Sequence, residues 1–167
     1  SSSKFMLSDT IFLAVKEMLE LELDSGIQSK ITENATSNPK AQEYYMLGIG
    51  NLESYGKPGN LDLAIQQLRR SIQNDSSFAS AWAKQAEAYF RKYTDTRETK
   101  WMESAIESGK QATTLNKDLS EVHLSMGMVY LGLGNVNKAI SEFLTARDMA
   151  PRDAEVYLAL GRAYTTA

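Results

Sequence analysis

The chain offers few residues that could do chemistry. His123 is the only histidine, and there is no cysteine. A thiolate or multi-imidazole metal site therefore lacks its usual ligands, and disulfides are excluded. No serine stands in a glycine elbow beside a candidate base, so nucleophilic hydrolysis has no visible machinery. Gly48-Ile-Gly50 and Gly132-Leu-Gly134 lack the spacing and the preceding strand of a phosphate loop. Helix packing and a hairpin turn account for them. Asn34-Ala-Thr36 and Asn74-Asp-Ser76 match the glycosylation sequon, a triplet short enough to arise by chance. Met46, Met126, Met128 and Met149 fall at repeat-like positions and read as packing residues, not a cofactor box. No catalytic, cofactor or metal residue is expected.

What positions the side chains is a repeat. Gly127 and Gly161 are 34 residues apart. Tyr157, Leu160, Gly161 and Tyr164 reproduce the spacing of His123, Met126, Gly127 and Tyr130. Trp82, Gln85, Ala86 and Tyr89 fill the same slots upstream, and Tyr44, Leu47 and Gly48 do so one step earlier. His123 thus occupies a large-residue slot, as a packed ring with one polar tip. The two earlier steps are longer than 34 residues, and both surpluses fall between the helices of one hairpin. The turn-rich Ser54–Asn60 and the polar Tyr93–Lys100 are expected to carry them as loops. Gly127 is expected to face Ala139 at a close helix crossing, with Tyr130 and Phe143 filling space on either side. Gly109 is expected to restore close approach where Ala86 stands for glycine. Asp118 and Asp153 are expected to cap helices.

Hydrophobic periodicity predicts about nine helices, at 9–23, 26–36, 40–55, 61–74, 79–93, 98–115, 119–132, 136–149 and 153–166. No segment reads as a strand. The 167 residues carry a net charge of −3 and 43% apolar residues. That mix suits a folded domain and gives no reason to expect nucleic-acid binding. No apolar run is long enough for a membrane helix, and neither end reads as a signal peptide. The composition is compatible with a cytoplasmic domain, or with an extracytoplasmic one tethered after a membrane span. The abrupt start at Ser1 and the stop inside a repeat suggest a piece of a longer protein.

The segment from Ser120 to Asp153 resembles a tetratricopeptide (TPR) repeat: Gly127, Tyr130, Ala139, Phe143, Ala146 and Pro151 match its defining positions. The resemblance implies an all-α, right-handed solenoid of antiparallel helix hairpins. Residues 1–39 would be an N-terminal hairpin, either a degenerate repeat or a cap. Repeats would follow at 40–78, 79–119 and 120–153, then the first helix of a truncated fourth at 154–167. Such stacks commonly hold a protein or peptide in the concave groove lined by the first helix of each hairpin.

By the family pattern the inward positions include Gln42, Tyr45, Ile49, Glu87, Phe90, Arg91, Glu121, Leu124, Met128, Leu158 and Arg162, with Lys84 at the border. Contact with a neighbouring helix is the alternative for each. Chaperone-binding TPR domains clamp a C-terminal carboxylate with lysine, arginine and asparagine. The matching positions here are Tyr45, Ile49, Glu121 and Ser125, which do not fit.

A narrower resemblance rests on Leu19-Glu-Leu-Glu-Leu23, Asn38-Pro39, Tyr44-Tyr45, Asn60-Leu-Asp-Leu-Ala-Ile65 and the Trp82–Tyr89 stretch followed by Trp101. It points to the C-terminal TPR region of bacterial signalling proteins, either serine/threonine kinases or adenylate-cyclase-like regulators. That implies a non-catalytic docking or sensing region. The alternative is a structural segment that self-associates through 153–167, where Tyr157, Leu160 and Tyr164 would need a partner surface.

Overall fold

A computed structural model of the chain describes residues 36–167. Seven α-helices occupy them, with no strand among the described residues: α1 (Pro39–Glu53), α2 (Asn60–Asn74), α3 (Ala79–Thr96), α4 (Thr99–Leu115), α5 (Ser120–Gly132), α6 (Val136–Met149) and α7 (Ala154–Thr166). The helices expected at 9–23 and 26–36 lie outside the described residues.

Local chemistry sets the helix ends. The Asn38 side chain accepts hydrogen bonds from the Lys40 and Ala41 backbone N–H groups, and Pro39 takes the first helical position, where its missing N–H costs nothing. Asn38 Nδ2 also donates to the Asn74 carbonyl at 2.8 Å, tying the mouth of the first hairpin. Asp153 caps α7 by accepting from Glu155 N at 2.9 Å. Asp118 caps nothing: the residue before α5 is Leu119, which makes no side-chain cap bond. Asp118 sits one residue too early, and its own N–H donates to Asn116 Oδ1. Gly134, at φ +75°, turns the chain between α5 and α6 in a conformation that side chains disfavour.

Consecutive helices pair as hairpins α1–α2, α3–α4 and α5–α6. Successive first helices also approach one another, whereas the backbones of α2, α4 and α6 do not come close. The helices thus form two layers, α1, α3, α5 and α7 in the inner one and α2, α4 and α6 in the outer.

The small-residue crossings appear, with a changed partner. The atoms nearest a Cβ placed on Gly127 belong to the Phe143 ring, at 2.3–2.9 Å, not to Ala139. Phe143 is fully buried against the glycine itself and does not sit to one side of it. Gly48 meets Leu68 in the same way, and Gly109 lies against Ala86 as expected, with Met126 added. Of the repeat-like methionines, Met128 is buried, whereas Met46 and Met149 are exposed.

Tyr93–Lys100 is not a loop. α3 has 18 residues and α4 has 17, against 13 in α5 and 14 in α6. The surplus lengthens both helices and leaves only Arg97 and Glu98 between them. Polar, turn-neutral residues such as Thr94, Asp95 and Thr96 tolerate an exposed helix end as readily as a loop. The shorter surplus does form one, at residues 54–59.

Candidate functional site

The inner layer brings distant charges together. Lys84, Glu87 and Arg91 fall at i, i+3 and i+7 on α3 and so share one face. Lys84 Nζ lies 2.9 Å from Glu87 Oε2, and the Arg91 guanidinium lies 2.9 Å from Glu87 Oε1. Both cations also reach Glu155 at the start of α7, Lys84 at 3.4 Å and Arg91 at 2.5 Å. The bridge therefore runs from α3 to α7, two hairpins along the chain, across the face of α5.

Burial splits the two carboxylates. The Glu87 side chain is 4% exposed and the Glu155 side chain 30%. Burial pushes the Glu87 carboxyl up, but Lys84 and Arg91 outweigh it and hold the group below its ordinary range. For Glu155, burial and the neighbouring Glu87 charge win, and its carboxyl is raised. Burial works against the Lys84 ammonium, yet Glu87 and Glu155 keep it above its ordinary range. The Tyr45 hydroxyl joins this band beside Ser80. Burial raises its pKa, and the Glu121 charge adds to the shift.

Next to the cluster lies a cavity of about 220 Å³ between α3, α5 and α7. Phe90, Met128, Leu131, Phe143 and Ala159 supply its apolar wall, with Arg91, Asp95, Arg162 and Tyr55 at the polar side. Small-molecule sites measure roughly 300–1,000 Å³, so this one suits a single apolar side chain. The Arg91 guanidinium stacks over the Tyr55 ring at 4.4 Å.

The residues expected to line the groove divide into three groups. Lys84, Glu87, Phe90, Arg91 and Arg162 gather at the ion cluster and the cavity. Leu124 and Met128 are buried among α6 and α7 residues, so only the Met128 surface facing the cavity is open to a ligand. Gln42, Tyr45 and Ile49 are half-buried on α1 and Glu121 on α5, while Leu158 is 65% exposed on α7. Tyr45 packs on Phe78 with ring centroids 4.8 Å apart. Tyr55, carried to the cavity by the loop at residues 54–59, has no place in the repeat pattern. The partnership of Lys84 with Glu155, 71 residues away, has no spacing signal either.

His123 behaves as its slot predicts: Nδ1 lies 2.7 Å from Glu142 Oε2, with the ring half-buried. No group of three or more His, Cys, Asp or Glu among the described residues could hold a metal. No described helix is long and apolar enough to cross a membrane.

An inner row of first helices, small-residue crossings and a groove define a helical-repeat fold. Residues 124–167 match the tetratricopeptide repeat family. TTC0263, a TPR protein of Thermus thermophilus, is similar over 78% of this chain and 66% of its own, at 21% identity and a TM-score of 0.65. The first TPR domain of Spaghetti (RPAP3), bound to the HSP90 peptide SRMEEVD, is similar over 78% of this chain and 94% of its own, at 20% identity and TM-score 0.57. The second TPR domain of human RPAP3, in complex with the HSP70 peptide SGPTIEEVD, covers 74% and 98% at 22% identity and TM-score 0.52. The fold is that of TPR domains. No curated protein sequence matches the chain.

Proposed function

We propose that this chain is a non-catalytic docking module that holds a protein or peptide segment in its inner groove, with one large apolar side chain seated in the cavity. The observation that carries the reading is that cavity, apolar inside and open beside Arg162. Filling it with a leucine- or phenylalanine-sized side chain is worth roughly 1.5–3 kcal/mol. The two RPAP3 domains hold peptides ending in glutamate, valine and aspartate. Here the inner cations Lys84 and Arg91 already hold carboxylates, which supports an apolar anchor over an acidic tail.

Ala159→Leu narrows the cavity from within, and Leu158→Glu with Arg162→Glu alters exposed groove residues without touching the core. An arrayed peptide library screened against the wild type is expected to yield ligands with a common large apolar residue. Each variant should lose them while its helical circular dichroism stays intact. Undiminished binding by Ala159→Leu refutes the cavity. Charges at Leu124 or Met128 would be a poor test, because both side chains are buried and the fold itself would suffer.

The string from Leu19 to Trp101 supports placing the module in a bacterial signalling protein, as a docking or sensing portion. A second reading, self-association through 153–167, is favoured by Tyr157 and Tyr164, each at least half exposed on α7. Leu160, expected beside them, is instead buried in the module's own core. A monomer in sedimentation equilibrium at high concentration would remove that reading.

A further inference from the structure

We infer that Glu155 is an internal occupant of a carboxylate site: it fills the place between Lys84 and Arg91 that an acidic partner residue would take, and so sets the groove's selectivity against acidic segments. The inference rests on the groove reading above and deepens it.

Geometry separates Glu155 from the other acid in the cluster. Glu87 sits on the same helix as both cations, at hydrogen-bonding distance from each, and its side chain is sealed from solvent. Its place is fixed by α3 alone. Glu155 comes from another hairpin, is only partly covered, and meets Lys84 at the longer distance of 3.4 Å. Two cations and two carboxylates make the cluster neutral, and Glu121 lies close enough to act on the Tyr45 hydroxyl beside it. An incoming carboxylate therefore meets no unbalanced positive charge. It would have to displace a tethered competitor whose effective concentration is high, or accept a third acid beside Glu87. Removing Glu155 leaves two cations facing one buried acid, a net positive site open to the groove.

The difference is measurable with a fluorescein-labelled heptapeptide carrying one phenylalanine followed by two glutamates, and a twin carrying glutamines in their place. In fluorescence anisotropy the wild type is expected to show no preference for the glutamate peptide. E155A and E155Q are expected to bind it about tenfold more tightly or better, as for a newly unpaired, partly desolvated charge pair, with the twin unchanged. Lys84→Met in the E155A background should cancel the gain. E155Q keeps the size and hydrogen-bonding shape of the side chain, so it reports on charge even if E155A loosens α7. Equal glutamate-peptide affinity in wild type and E155Q overturns the inference, as does a gain shared by the glutamine twin. If no protein binds either peptide, the inference also falls, and the separate library screen with Ala159→Leu decides whether the groove reading falls with it.

Discussion

The α5–α6 and α3–α4 hairpins solve one packing problem in two ways. In α5–α6 the first helix supplies no side chain, Gly127, and the second supplies a phenyl ring, Phe143. In α3–α4 both crossing residues are small, Ala86 and Gly109, and the missing volume comes from the next hairpin, where the Met126 sulfur reaches Gly109. The repeat thus constrains the volume at a crossing more tightly than it constrains which residue fills it. The consequence is structural: α5–α6 closes its crossing by itself, whereas α3–α4 completes its own only with α5 stacked on it. The glycine at the fourth equivalent position, Gly161, meets nothing within 4 Å.

The largest effect is expected where one ring fills the crossing. Phe143→Ala should cost about 3–5 kcal/mol in chemical denaturation, because the ring is fully buried and its cavity cannot collapse onto a glycine. A loss under about 1 kcal/mol would break the comparison. Gly127→Ala comes next, at about 1–3 kcal/mol net of the helix-propensity gain, since the new methyl meets a rigid ring. Gly109→Ala sharpens the contrast: its methyl meets the far end of a flexible methionine, and the cost should be visibly smaller in the same assay. Gly161→Ala should reverse the sign, stabilising by about 0.5–1 kcal/mol through helix propensity alone. Thermal melts of the three alanine variants should therefore fall in the order Gly161, Gly109, Gly127 from most to least stable.

The last test is confined to acid pH, where the ion cluster begins to titrate. Glu87 has a folded-state pKa below its ordinary 4.5. The stability it contributes is complete above that ordinary value and is lost as pH falls through the lower folded one. Glu155 is raised and runs the other way, its folded form gaining as pH falls through the raised value. Stability against pH, compared between wild type and Glu87→Gln, should show a shallower acid-side loss in the variant. Parallel curves would mean that the cluster does not hold Glu87 ionised.

Much of the fold could be read from residue spacing, because a helix hairpin is a local object. Six of the seven described helices begin and end within about two residues of the periodicity's limits, and α6 matches at both ends. α3 overran by three residues, since Thr94, Asp95 and Thr96 are as acceptable at an exposed helix end as in a loop. The site was legible in part. The family pattern directed Glu87, Phe90, Arg91 and Met128 to the inner face, and the ion cluster and cavity are built from them. It could not foresee that Leu124 would be buried, because burial there depends on α7 docking against α5 and α6. Tyr55 was hidden for a related reason: an inserted loop has no place in a periodic pattern.

Composition and periodicity by themselves determined the helices, their pairing and the places where two of them come close. Each of those depends on residues within one hairpin, where side-chain volume and the 3.6-residue turn leave few solutions. The stack alone decided that Lys84 and Arg91 meet Glu155, that Met126 fills a crossing in another hairpin, and that a side-chain-sized hollow opens between α3, α5 and α7. These contacts join residues that are distant in sequence, and their geometry follows from the stacking of successive hairpins, which no single repeat encodes.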